Sequence, residues 1–161
     1  MKKHAIIFIL SVAFFLGLTL SGTAGDMPAA DGAKFWMFMT KTDPYTGWGY
    51  WPGSYGIKPG QSPHGAFITV YANGIALKAA REGKPMPEGA IIVKENYGPD
   101  KKTLMAVTPM YKIKGYNPSA GDWWWAKIGP DGKVMAEGKP QGCINCHQAV
   151  KDKDWIFTEI K

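Results

Sequence analysis

Cysteine and histidine are scarce in this chain, which has two cysteines and three histidines among 161 residues. A structural zinc site takes four such ligands, usually as spaced pairs, and no second pair is present to complete one. A thioredoxin-like dithiol would lie near the first strand of a βαβ unit, whereas both cysteines here lie near the end of the chain. The scarcity therefore disfavours a zinc domain and a thioredoxin-like redox site.

Long apolar runs and blocks of like charge are missing as well. The apolar run from Ala5 to Leu20 is short for a helix that crosses a bilayer. The formal net charge of +6 comes without a basic run or repeat of the kind that binds nucleic acid. The composition predicts an ordinary solvated surface, with no nucleic-acid partner.

The first 24 residues have the layout of a secretory signal. Lys2 and Lys3 form a positive start, the apolar run follows, and Gly22-Thr23-Ala24 supplies the small residues of a cleavage site. An uncleaved membrane anchor is the alternative. We expect cleavage near Ala24, export to the periplasm and no stable membrane span afterwards. The remaining residues, 25–161, number 137 and carry a formal charge of +4, which suits one domain.

The stretch Cys143-Ile144-Asn145-Cys146-His147 has the spacing of a c-type haem attachment site. Two thiols three positions apart are separated by about one helical turn, so both can bond to one edge of a flat macrocycle as thioethers. His147 follows directly and can bind the iron as its proximal ligand. The sequence predicts one covalently attached haem c, which would use both thiols and leave none for a disulfide.

Strand-like segments outnumber helical ones in the predicted mature chain. The turns between strands are short, which favours antiparallel pairing. The sequence predicts an α+β fold, predominantly an antiparallel β-sheet with a few short helices. The predicted strands span residues 66–71, 90–97, 103–113, 122–128, 134–137 and 155–160; the predicted helices span 34–41, 73–83 and the haem motif through 150; and residues 45–63 form an ordered aromatic loop.

Several blocks of the chain form a recognisable series in their order and spacing. They are Val70 to Asn73, Gly89 to Glu95, Gly121 to Trp125, and the haem motif with Asp154 to Thr158. In these blocks the chain resembles the cytochrome P-460 family, which includes the cytochromes c′-beta. The resemblance covers most of the predicted mature chain and implies a mainly antiparallel β fold, usually as a homodimer. It also implies a five-coordinate haem c with His147 proximal and a distal side open to small ligands.

The resemblance implies two activities. Cytochromes P-460 oxidise hydroxylamine with a haem that is also cross-linked to a lysine, and the matching lysine here is Lys94. Cytochromes c′-beta lack the cross-link, bind nitric oxide and have gas-handling or electron-transfer roles. The implied partners are hydroxylamine or nitric oxide and a periplasmic redox protein. The choice between a hydroxylamine-oxidising enzyme and a non-catalytic binding or electron-transfer protein stays open.

Lys94 is a candidate pocket residue, for which a purely structural role is the alternative. By strand alternation it shares a face with Ala90 and Ile92. A lysine there can pack its stem and extend its charged end to water. The resemblance instead brings Lys94 to the haem.

His64 and Phe67 are candidates for the distal side of the haem. His64 is the only histidine of the predicted mature chain besides His147. It either bonds to its own loop, or lies over the iron, where it could donate a hydrogen bond, accept a proton or bind the metal. Phe67 could form an apolar cap instead. Glu95 and Glu137 lie near the key blocks, but surface exposure is the default for glutamate, so no distal base is assigned.

Overall fold

The computed structural model describes residues 27–157. The predicted signal segment therefore lies outside the described residues, and so does the end of the predicted last strand at residues 158–160. Within the described range, none of the helices has the length and apolar character needed to cross a membrane.

A seven-stranded antiparallel sheet forms the centre of the fold. Its main order is β1-β3-β4-β5-β6-β7. The short strands β1 and β2 both pair with β3, β2 with the first residues of that strand and β1 with its last. The prediction of a mainly antiparallel sheet with a few helices is confirmed. The strands are β1 (Gly49–Tyr50), β2 (Lys58–Pro59), β3 (Phe67–Ala72), β4 (Ile91–Tyr97), β5 (Leu104–Lys112), β6 (Trp123–Ile128) and β7 (Val134–Gly138).

Three α-helices accompany the sheet: α1 (Gly32–Met37), α2 (Gly74–Arg81) and α3 (Gln141–His147). Asn73 caps α2, since its Oδ1 accepts a hydrogen bond from the Ala76 amide at 3.0 Å. The same oxygen accepts from the Ile91 amide at 3.1 Å. The cap therefore ties the start of α2 to the start of β4, the strand that carries Lys94.

The two faces of the sheet pack against different elements because alternate side chains of a strand point in opposite directions. On the first, which we call the pocket face, α2, α3 and the C-terminal segment pack against side chains that include Val70, Ile92, Met110 and Trp125. On the second, which we call the tyrosine face, α1 and the turn after it pack against side chains that include Tyr45, Val93, Tyr111 and Trp124. Trp123 and Trp125 thus face away from Trp124, as the alternation of side chains along a strand requires.

The predicted strand at 155–160 is wrong over its described part, residues 155–157. Asp154 and Trp155 both have left-handed backbone angles, with φ of 54° and 65°, so the chain turns sharply here. Asp154 holds the turn by accepting from the Lys112 Nζ at 2.5 Å and from the Met86 amide at 2.7 Å. The apolar run of Trp155 and Ile156 indicated burial correctly, but these side chains are buried in the pocket-face core and not in a strand.

Candidate functional site

A mostly apolar pocket lies between the pocket face of the sheet, α3 and the C-terminal segment. It holds about 710 Å³ of space, part of which is open solvent. The apolar part of its wall includes Val70, Ile92, Met110, Trp125, Ile156 and Phe157, and its polar or reactive part consists of His64, Lys94, Thr108, Cys143, Cys146 and His147.

Helix α3 brings Cys143, Cys146 and His147 to this one pocket. The two cysteines are half-buried and not joined by a disulfide. Burial raises the pKa of the Cys143 thiol, and the neighbouring Cys146 raises it further. Both sulfur atoms therefore face an apolar space from one side of a short helix.

His147 is buried, and its ring is fixed by a backbone carbonyl. Its Nδ1 lies 2.6 Å from the Trp155 oxygen. Because a carbonyl only accepts, Nδ1 carries the proton and donates, which leaves the Nε2 lone pair free. A metal-binding imidazole is typically oriented by such a bond from its other nitrogen. Burial, more than the nearby Lys94, lowers the pKa of His147, so the neutral form is favoured.

Lys94 extends from the middle of β4 into the same pocket. Among residues 27–157 its amine takes part in none of the hydrogen bonds or ion pairs that side chains form. Burial lowers the pKa of Lys94, and the nearby Cys146 opposes part of that shift. The environment thus favours the uncharged amine more than an exposed position would.

His64, in the loop between β2 and β3, is held by Asn96 on β4. The His64 Nδ1 lies 2.8 Å from the Asn96 Oδ1. The Asn96 Nδ2 donates to the Ala106 carbonyl at 3.0 Å and to the Thr108 hydroxyl at 3.1 Å, so the amide oxygen faces His64. The His64 Nδ1 must then donate, and its Nε2 lone pair is free. Burial, followed by the charge of Lys94, lowers the pKa of His64 to about 4, so the ring is neutral at neutral pH.

The rings of the two histidines stand close together in the pocket. Their centroids are 6.5 Å apart and their planes are 87° from parallel. The Trp125 ring lies 6.2 Å and the Phe157 ring 5.2 Å from the His147 ring, centroid to centroid. Two neutral imidazoles therefore share one largely apolar space with two thiols and one amine.

The family model for cytochrome P460 matches residues 45–158, which include the whole sheet, α2 and α3. This chain belongs to the cytochrome P460 family. Members of this family carry haem. No curated protein matches the chain.

The pocket of this P460 chain fits a haem group. Its walls are apolar, and its thiols and His147 are of the types that hold haem covalently and through the iron. The Nε1 of Trp125 is buried and has no hydrogen-bond partner among the described residues. The indole nitrogens of Trp48, Trp51 and Trp124, which do not line the pocket, lack partners as well, so the fit rests on the thiols and His147 and not on this atom.

Phe67 is not brought to the P460 pocket. It pairs with Tyr97 and lies on the tyrosine face, because it is an odd number of residues from Val70, which lines the pocket. The Lys101 Nζ lies over its ring at 4.6 Å. The structure thus gives the predicted apolar cap no contact with the pocket, and Phe157 and Trp125 supply the aromatic wall instead.

The two glutamates considered as bases also lie elsewhere. Glu95 is buried and not exposed, and its carboxyl oxygens accept from the Tyr45 hydroxyl at 2.9 Å and the Tyr97 hydroxyl at 2.7 Å. Glu137 accepts a hydrogen bond from the Gly32 amide. No aspartate or glutamate of the described range lines the pocket.

Sequence reasoning missed two parts of the site, Asn96 and the Trp155 carbonyl. Asn96 follows Lys94 by two positions, so strand alternation could have placed both on one face. The contact of His147 with the Trp155 carbonyl had no comparable signal. It depends on a left-handed tryptophan, which is rare, and on a backbone atom that every residue type carries.

Proposed function

We propose that this P460 chain is an exported, periplasmic haem c protein that acts on a small nitrogen compound such as hydroxylamine. Cys143 and Cys146 would hold one haem as thioethers, and His147 would be the proximal ligand. The observation that carries the proposal is that both thiols, the His147 ring and Lys94 line one apolar pocket. The secretory layout of the N-terminus supports export, since haem c is attached outside the cytoplasmic membrane.

Lys94 is the residue proposed to bond to the macrocycle. An amine must be unprotonated to form such a bond, and burial already lowers the pKa of Lys94. Thioether formation would leave Cys146 without an ionisable thiol. The effect of Cys146 that opposes the lowering of the Lys94 pKa would then be lost. A carbon–nitrogen bond would replace an N–H and a C–H bond, so an electron pair and two protons must leave to an oxidant such as peroxide.

The bound haem would supply the centre that accepts electrons from hydroxylamine. The chain must then provide a proton acceptor, and no carboxylate of the described range lines the pocket. His64 has a free Nε2 lone pair and a tautomer fixed by Asn96. We therefore assign His64 as the proton acceptor. Its neutral state at neutral pH means that this lone pair is available without prior loss of a proton.

The test compares wild-type holoprotein with Lys94→Arg, which keeps a long cationic side chain but cannot form the same bond. We expect intact mass to show covalent haem in both, and the wild type alone to show a ferrous Soret band shifted far to the red. The wild type should reduce an added acceptor when hydroxylamine is present, and the variant should lose most of that rate. Covalent haem in a Cys143→Ser/Cys146→Ser/Lys94→Arg triple variant, or a cross-linked wild type without turnover, would contradict the proposal.

A second function is favoured by a different observation, the fixed position of His64 beside His147. In this alternative the protein is a nitric oxide binder or an electron carrier, and Lys94 is not bonded to the haem. The ferrous spectrum would then be that of ordinary haem c, and Lys94→Arg would leave the spectrum and the nitric oxide affinity unchanged. A homodimer and a periplasmic redox partner stay predictions, which sedimentation and pull-down with the holoprotein can examine.

A further inference from the structure

We propose that His64 is the second axial ligand of the haem iron in the resting protein, opposite His147, so that a small ligand binds only by displacing it. The inference rests on the proposed attachment of haem to Cys143, Cys146 and His147. It adds to that function a resting state in which His64 is bound to the iron, and a first step in which the small ligand displaces it. Displacement from the iron would free the same nitrogen lone pair that we assign as the proton acceptor.

The first argument is that both histidines are held in the same tautomer. His147 donates from Nδ1 to the Trp155 carbonyl, and His64 donates from Nδ1 to the Asn96 amide oxygen. Each ring therefore keeps its Nε2 lone pair and has its other nitrogen anchored, which is the arrangement of a metal-binding histidine. A His64 in this tautomer cannot donate a hydrogen bond from Nε2 to a bound ligand, so one of its possible distal roles is removed.

The second argument is the spacing of the two rings. With a metal–nitrogen distance of about 2 Å on each side, two imidazoles bound to one ion have ring centroids roughly 6 Å apart. The observed separation of 6.5 Å is close to this value. It leaves too little room for a diatomic or larger ligand between a bound iron and the His64 ring.

The third argument is that the fold fixes His64 from two directions. Asn96 is tied to β5 through the Ala106 carbonyl and the Thr108 hydroxyl, so the partner of His64 cannot easily turn. Gly65, the next residue, packs so closely on β4 that an added Cβ would lie 2.3 Å from the Tyr97 oxygen. Only glycine permits this approach. The loop therefore presents His64 at one place on the sheet, next to the pocket.

Lys94 and Met110 are the competing donors in the pocket. Lys94 must lose a proton before it can bind iron, and among the described residues no group takes a hydrogen bond from its amine to orient it. Met110 belongs to the packed core of the pocket face. Neither has the anchoring that Asn96 gives His64, so His64 is the favoured ligand.

The test uses ferric holoprotein and electron paramagnetic resonance, with His64→Ala as the main variant. We expect low-spin iron in the wild type and high-spin iron in His64→Ala, with added imidazole restoring the low-spin signal. If His64 occupies the iron at least nine-tenths of the time, its removal raises the affinity for imidazole at least ~10-fold. Nitric oxide should bind His64→Ala faster, and binding to the wild type should level off at the rate of His64 dissociation.

Asn96→Leu tests whether Asn96 positions His64. It is also a second variant, in case His64→Ala disturbs the structure of the whole protein. It should raise the high-spin fraction when His64 is present. In a His64→Ala background it should change nothing further, because Asn96 acts on the iron only by positioning His64. A high-spin wild type, or a low-spin signal that survives His64→Ala and disappears in Met110→Leu or Lys94→Met, would overturn the inference. Haem that extracts from the denatured protein would instead overturn the proposed function, and this inference with it.

Discussion

Lys94 and Glu95 are neighbours in β4, but they lie on opposite faces of the sheet and differ in their hydrogen-bond partners. Glu95 points to the tyrosine face, where its two carboxyl oxygens each accept a phenol hydrogen bond. Lys94 points to the pocket face, where its amine has no partner among the described residues. Lys94 is half-buried, and ionisable groups whose pKa is shifted by burial concentrate at functional sites.

The two faces of the sheet differ in whether their ionisable side chains have hydrogen-bond partners. On the tyrosine face, Tyr45 and Tyr97 donate to the two carboxyl oxygens of Glu95, although the indole nitrogens of Trp48 and Trp124 are buried without partners among the described residues. On the pocket face, the amine of Lys94, the indole nitrogen of Trp125 and two imidazole lone pairs all lack partners within the described residues. Removing the Glu95 carboxylate should therefore lower the free energy of unfolding, whereas at Lys94 an uncharged side chain should be more stable than a charged one.

The largest expected effect is from Glu95→Ala. It leaves the buried phenol of Tyr45 and the half-buried phenol of Tyr97 without their acceptor, and hydrogen bonds to a charged group contribute roughly 1.5–3 kcal/mol each. We expect the free energy of unfolding to fall by about 3 kcal/mol, measured by urea denaturation of the holoprotein. Glu95→Gln keeps one acceptor and should lose about half as much. If Glu95→Ala is as stable as the wild type, the tyrosine face does not depend on this cluster.

Gly121→Ala should have the next largest effect, on the pocket face. Gly121 has a φ of +65°, and an added Cβ would lie 2.6 Å from the Trp155 ring. We expect a loss of about 2 kcal/mol from strain and overpacking. The displaced Trp155 should also disturb the carbonyl that orients His147, which the ferric haem spectrum would show. Gly74→Ala, at a glycine with open space around it, is the control and should not destabilise the protein.

Lys94→Met and Lys94→Arg form a matched pair, since neither variant can form the proposed cross-link. Arginine stays charged in the apolar pocket, whereas methionine fills it without charge. We expect Lys94→Met to be the more stable by about 1 kcal/mol, because it buries no unpaired polar group. Equal urea midpoints would show that the Lys94 position reaches solvent, and the contrast with Glu95 would then be much weaker.

The smallest effect is expected at high pH. Burial and the hydrogen bond to Glu95 raise the pKa of Tyr97 to about 12, above its ordinary value of 10. Between these values the unfolded chain loses the proton while the folded chain keeps it, so stability falls as the pH rises through this range. Tyrosinate absorbance against pH measures the shift. In Glu95→Gln the Tyr97 pKa should move back towards 10, and an unchanged titration would exclude the role of Glu95.

Most of the fold could be predicted from local sequence signals. The alternation of side chains along a strand predicts that Trp123 and Trp124 lie on opposite faces of the sheet. Asparagine is a residue type that commonly caps a helix, and Asn73 does so at the start of α2. The turn at Asp154 and Trp155 could not be predicted this way. Its left-handed conformation is stabilised by contacts with Lys112, Met86 and Trp123, which are distant in the sequence.

The sequence by itself determined the chemistry that the chain can carry, because Cys143, Cys146 and His147 lie in one short motif whose spacing suits one edge of a haem. It also determined which face of β4 holds Lys94, since side chains alternate along a strand. Only the tertiary structure decided that His64 lies 6.5 Å from His147, with both lone pairs free. The physical reason is that a side-chain tautomer depends on hydrogen-bond partners such as Asn96 and the Trp155 carbonyl, which the fold brings together from separate elements.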